Sequence, residues 1–576
     1  MKKALSVFLL LSILLLAFPF PAGAADEIIE IGSYEELKNN LKTTGNYKLT
    51  ADIVIDENRS TSIVSGSFTG SFDGDGHSII FAEGKKSTLS SGQGLFFEAL
   101  GTNAKISNVL LGTPENSLTV VLGDTTRGMN PGVLAGSTTG ATPTISGVDC
   151  YVVVSGTRKT ATNFGCFLGN AANSVEIENS TVNGSVSLDG TAGVQNMGAF
   201  IGIVRTGGTV RLRNCVNNAD ITVNGTAVHV ASSVGGMVGA IVQKNGESST
   251  QKSTMQITNC VNNGALTCSK ICGGMIGYVN NGANLSERPY RLTGCQNFGK
   301  ISAGTRGGGM IGSANKVSNS VNLTGCVNAG EIVATANSAA LAGMIGRNYK
   351  TADCTLTMCY NFGTIDENGK TGVLTGTDGL VVNNDASAAY TVTSMLEEGT
   401  VFTMKNVAAV RILEPMGIRF TAMVDEGAYK AAQDAFGQNI RLGLLIAPEQ
   451  YVTDAGAFTA EALNAMKAEK NITTDTYLDC VCNDSNRTED GNTIFTGAVT
   501  SRYEKQYSLD YQAISYIAIR VGEEWKIVAY ATEATGAVSM AYIAKQAWNN
   551  RVEEGFTEAQ ISALEKYFTP SASEAE

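Results

Sequence analysis

Histidine and tryptophan are the scarcest residues of this chain, with two of each in 576 positions. With only His77 and His229, a histidine-based triad or a histidine-rich zinc site is poorly supplied. Charged residues make up 16%, no block of Lys and Arg occurs, and the formal net charge is −12. That balance argues against a nucleic-acid partner. Proline is rare too, at nine, and the C-terminal "FTPSASEAE" holds neither an apolar tail nor a sortase-like motif. What the chain has in excess is glycine, 65 residues without a collagen period, which points to a turn-rich β architecture.

The one long apolar run is N-terminal. Lys2 and Lys3 precede "ALSVFLLLSILLLAFPFP", and "AGA" at 22–24 supplies small residues for a signal peptidase. Residues 1–24 therefore read as a secretory signal, with Pro19 and Pro21 ending the run too early for a membrane span. The mature chain is expected to be secreted or surface-associated, with no membrane or covalent anchor.

Two boxes alternate through the middle of the chain. The first is "MGAFIGIV" at Gly202, "VGGMVGAIV" at Gly239, "GGMIGYV" at Gly277, "GGGMIGSA" at Gly312 and "LAGMIGRN" at Gly346, with looser copies ending at Gly136, Gly169 and Gly376. Successive boxes lie 30 to 38 residues apart. The second box contains Cys215, Cys260, Cys295, Cys326 and Cys359, each followed two residues later by Asn217, Asn262, Asn297, Asn328 or Asn361. Constant short β-prone runs separated by variable loops are the pattern of stacked coils, and a right-handed parallel β-helix is expected, one coil per repeat. The apolar pair of the glycine box should fill the core while its glycines turn the backbone tightly. The second box should end in a turn where Asn and Gly accept left-handed angles. The cysteines should form an inward, unpaired ladder, because in-register parallel neighbours point the same way and suit a disulfide poorly.

These alternating boxes resemble the GLUG motif of secreted bacterial proteins, here with Met at Met237, Met275, Met310 and Met344. The resemblance covers about 132–376 and implies a β-helical surface protein. Upstream, "SYEELKNNL" from Ser33 reads as an N-capped helix that caps the open end of the first coil. "GSFTGSFDGDGHSIIF" resembles the opening coil of many β-helical surface proteins. Asp73, Asp75 and His77 within it could hold a metal, but Asp-Gly-Asp-Gly is first of all turn chemistry.

After Val401 the composition changes, and both tryptophans, Trp525 and Trp548, lie there. Strand-like runs such as "MGIRFTAMV", "IRLGLLIAP" and "QAISYIAIRV" alternate with helical ones such as "EGAYKAAQDAFG" and "AVSMAYIAKQAWNN". An antiparallel, sandwich-like β domain with a few helices is expected. It resembles a recurrent C-terminal module of secreted Gram-positive proteins, a resemblance that implies no activity. The expected layout is 1–24 signal, 25–130 cap and opening coils, 131–385 repeats, 386–400 linker and 401–576 module.

No constellation for catalysis, cofactor or metal emerges. The position five after each ladder cysteine reads Asp220, Ala265, Lys300, Glu331 and Thr364, so no carboxylate row lines the solenoid. Cys480 and Cys482 lack the two intervening residues of zinc or redox pairs. The expectation is a non-catalytic exported protein, a β-helical stalk or display surface with a C-terminal binding module for adhesion or glycans. Its partners would be extracellular polysaccharide or a surface glycoprotein, contacted through Trp525 and Trp548 unless these two pack in the module's core. The alternative is a lyase or hydrolase using a groove along the β-helix.

Overall fold

The computed structural model describes residues 27–568 except 125–127, 191–194, 206–207, 226–231, 243–253, 281–289, 316–320, 337–339, 349–353, 367–380, 384–389, 394–401, 406–407, 413–414, 483–486 and 501–503. The expected signal segment and His229 lie outside the described residues.

Parallel strands stack into a β-solenoid, as the two alternating boxes require. One ten-stranded sheet runs from Val64–Phe68 to Val381–Asn383, and a six-stranded one from Thr162–Gly165 to Ala340–Ala342. A third, 26-stranded sheet carries the cysteine and asparagine boxes. Ten rungs at ~4.8 Å spacing give a rod of roughly 40 Å. Tyr390–Thr393 pairs in parallel with Cys354–Thr357, so a solenoid strand occupies part of the stretch expected to be a linker.

The rod is closed at its N-terminal end. Helix α1 (Tyr34–Asn40) is capped by Ser33, whose hydroxyl accepts from the Glu36 amide. It buries Leu37 and, just beyond its end, Leu41 in the solenoid core. The helix packs on Ile28–Ile31 and Ile53–Ile55, the terminal strands of the stack. It therefore lies over strand edges that would otherwise recruit another chain.

The core is a set of columns. Met237, Met275, Met310 and Met344 are fully buried, and Phe167 stacks on Phe200 at 4.8 Å one coil to the next. Cys215, Cys260, Cys295 and Cys326 are fully buried and Cys359 nearly so, all as free thiols. Burial pushes the Cys260, Cys295 and Cys326 thiols well above their ordinary value. All ten solenoid cysteines are buried, so a thiol reagent at pH 8 is expected to leave them unmodified in the native protein and to titrate all of them in denaturant.

The module begins with Phe402–Met404 and consists of two five-stranded antiparallel sheets packed face to face. Gly497 of one sheet lies against Cys480 and Leu444 of the other. Helices α2 (Glu426–Phe436), α3 (Glu449–Ala455), α4 (Ala460–Glu469), α5 (Met540–Asn549) and α6 (Glu558–Leu564) complete it. Of these, α3 and α6 are not among the helices expected from the sequence.

The module is packed against the solenoid rather than hung from its end. Val327 and Met358 are buried within the module's own hydrophobic cluster, with Phe298, Ala329 and Tyr360 beside them. Tyr360 and Phe436 rings lie 6.3 Å apart, and the Gln296 amide donates to the Arg520 carbonyl at 3.4 Å.

Candidate functional site

The repeated polar residues of the solenoid turn inward. Asn217, Asn262, Asn297 and Asn328 are fully buried strand residues, and Asn361 is half-buried. Each side-chain amide donates to the carbonyl oxygen of the next asparagine at 2.7 Å, from Asn217 through Asn361. The same nitrogens also donate to Ala219, Gly264, Gly299, Gly330 and Gly363 carbonyls at 2.9–3.1 Å. These asparagines are not the expected left-handed turn residues. That role falls to the residue before each cysteine: Asn214, Asn259, Gly294, Gly325 and Met358, all with positive φ. Met358 is the outlier, and its burial against the module helps offset a left-handed cost of ~1–2 kcal/mol.

The box glycines also have a different task from tight turning. Gly273, Gly274, Gly308 and Gly309 do not adopt positive φ. A Cβ on Gly274 would sit 2.0 Å from the Gly309 carbonyl oxygen and 2.7 Å from the Asn297 side chain. Gly309 stands in the same relation to Gly343 and Asn328. The two boxes interlock: a missing side chain in one makes room for the amide ladder of the other.

The opening coil is turn chemistry. The Asp73 carboxylate accepts from the Asp75 amide and the Asn108 side chain, both at 3.1 Å. Asp75 has positive φ and pairs with Lys48 at 2.9 Å, while His77 faces Asp52 at 3.6 Å. The Ser78 amide, donating to Asp52 at 2.8 Å, holds that carboxyl below its usual range, with a smaller contribution from His77. Among the described residues, no three of His, Cys, Asp and Glu gather as a metal site.

In the module, Cys480 and Cys482 project between the sheets. The Cys482 thiol donates to the Cys480 and Thr496 carbonyls at 3.1 and 3.2 Å, and burial pushes it up to about 12. A thiol so far from ionisation is a poor nucleophile or metal ligand.

The two tryptophans part company. Trp548, on α5, is 4% exposed; its indole N–H donates to Glu565 at 3.0 Å, Arg551 covers its ring at 3.7 Å and Phe568 meets its edge. No face remains for a sugar, and the expected glycan contact at Trp548 is replaced by core packing. Trp525 is half-buried at the start of strand Glu524–Tyr530. The Arg441 guanidinium lies 4.9 Å from the Trp525 ring centre and 5.6 Å from that of Tyr516. Asp479 pins this arrangement, accepting from Arg441 at 3.3 Å and from the Tyr516 hydroxyl at 2.5 Å. Burial, reinforced by Asp479, raises the Tyr516 phenol so that it stays a donor. The hairpin ahead of Trp525 touches the solenoid, where Gly522 lies against Phe298.

Arg441, Asp479 and Tyr516 escape the sequence reading. Their one signal is the pair Arg441 and Gly443 inside an otherwise apolar strand, since glycine within a strand marks close approach. A Cβ on Gly443 would lie 2.3 Å from the Tyr516 ring.

No protein-family model matches the chain, and neither does any curated protein. A solved structure from Bacteroides ovatus, described as a "putative immunoglobulin A1 protease", is similar at 14% identity and a TM-score of 0.29. The match covers 67% of this chain and 91% of that one, and at that score it carries no argument about activity. Among the described residues, no helix is long and apolar enough to cross a membrane.

Proposed function

We propose that the protein is an exported, non-catalytic display protein whose solenoid carries a module that binds polysaccharide, or the glycan of a surface glycoprotein, at Trp525. The observation that carries this reading is the half-buried indole backed on one side by a pinned guanidinium. A ring already held in place loses little freedom when a sugar stacks on it, so little of the contact energy is spent on ordering. The solenoid supports the same reading: the five Cys and four of the five Asn of its repeated box are buried in the core. The resemblance to GLUG-motif surface proteins and the signal-like N-terminus agree with export.

The test is incubation of the whole protein with plant and host polysaccharides, following binding and the appearance of new reducing ends or unsaturated products together. Binding without products is expected. Trp525→Ala should weaken that binding at least ~10-fold, about 1.4 kcal/mol, with the melting temperature nearly unchanged. Trp548→Ala should instead lower stability by ~3–5 kcal/mol, as for a large aromatic removed from a core. Product release by the wild type would favour the lyase or hydrolase alternative.

A further inference from the structure

A cleft of about 330 Å³ opens on the module where α2 passes the hairpin formed by Arg487–Glu489 and Asn492–Thr500. The volume is at the small end of ligand sites, too small for a polymer and enough for one small molecule. Tyr429, 8% exposed, and the exposed Gln433 line it on the helix side, and Thr488 lines the hairpin side. Three charges border it: Glu426 and Lys430 from the helix and Arg487 from the hairpin.

All three are solvent-exposed. Glu followed four residues later by Lys is the helix spacing at which side chains normally pair. Here Glu426 and Lys430 make no ion pair with each other, and neither has a salt bridge to another described residue. Arg487 is held on one side by Glu489 at 2.9 Å. Among the described residues, the cleft thus presents a carboxylate and an ammonium without ion-pair partners, with the Glu489-held guanidinium on the hairpin side.

We propose that this cleft binds a small zwitterionic ligand, a short peptide with free amino and carboxyl ends. Its ammonium would pair with Glu426 and its carboxylate with Lys430 and Arg487, while Gln433 and Thr488 offer hydrogen bonds to the peptide unit. A ligand with a carboxylate alone leaves Glu426 unanswered, and one with an ammonium alone leaves Lys430 unanswered. Only a molecule carrying both charges answers Glu426 and Lys430 together.

The test uses the full-length protein and three probes in calorimetric titration: the dipeptide Ala-Ala, its N-acetylated form and its C-terminal amide. Saturable binding of Ala-Ala is expected, weakened roughly 10-fold or more by either blocking group. Glu426→Gln should abolish the advantage of the free amino end alone, and Lys430→Ala that of the free carboxyl end alone. Both positions are solvent-exposed, so the variants should keep the wild-type melting temperature. Trp525→Ala should leave dipeptide binding unchanged, which keeps this site separate from the glycan reading. Equal binding of free and blocked probes, or no saturable binding of Ala-Ala, would overturn the proposal.

Discussion

Replacing Asn297 by Ala should cost ~3–5 kcal/mol of stability, several times the loss from Asn361→Ala, because three buried partners lose it at once. Asn262 donates to the Asn297 carbonyl oxygen, Asn297 donates to Asn328, and its nitrogen also serves the Gly299 carbonyl. Truncation therefore strands one donor and two acceptors inside the rod, each worth ~1–3 kcal/mol when left unsatisfied. The alanine also leaves a hole, since the Asn297 side chain fills the space over Gly274. Asn361 is the last rung and half-buried, so water can replace part of what it gives. Its truncation should cost only ~1 kcal/mol. Chemical denaturation of the two variants measures the difference. Equal, small losses would show that the ladder is incidental to stability.

Asparagine columns of this kind were only half legible in the amino-acid sequence. The period of the boxes fixes coil stacking, and the burial of Cys215 through Cys359 follows from it, because in-register neighbours share a direction. Asn217 and its copies were visible as repeated residues, but a turn and a ladder leave the same trace in one dimension. What separates them is the backbone of the residue before the cysteine, where Asn214, Asn259, Gly294 and Gly325 carry the left-handed angle. A reader could have noticed that only Asn and Gly fill that place until Met358 breaks the rule. The Trp525 cluster was less legible still. Arg441, Asp479 and Tyr516 come from three strands far apart in sequence, and only antiparallel register brings Gly443 opposite Tyr516. Docking of the module on Phe298, Val327 and Met358 left no periodic signal at all, since those positions simply look like more solenoid.

The run Gly307-Gly308-Gly309 provides the second test, with its own control built in. Gly309→Ala should destabilise by ~3 kcal/mol or more, at the upper end of overpacking costs, or prevent folding. Its Cβ would stand 2.0 Å from the Gly343 carbonyl oxygen and 2.6 Å from Asn328, and the first of these is backbone of the next coil. Relief would require two coils to separate, which breaks the parallel ladder on every face of the rod. Gly307→Ala places its Cβ 2.9 Å from a Leu341 methyl and 3.2 Å from the Ala303 and Ile332 side chains. Those are side-chain atoms, and Leu341 can shift its rotamer, so a loss near 1 kcal/mol is expected. Thermal or urea unfolding of the two variants distinguishes close coil packing from conformational freedom as the reason for the glycines. If freedom were the reason, both alanines would cost alike, because neither glycine has a positive φ to lose. A loss at least twice as large for Gly309→Ala as for Gly307→Ala is the outcome that coil contact demands.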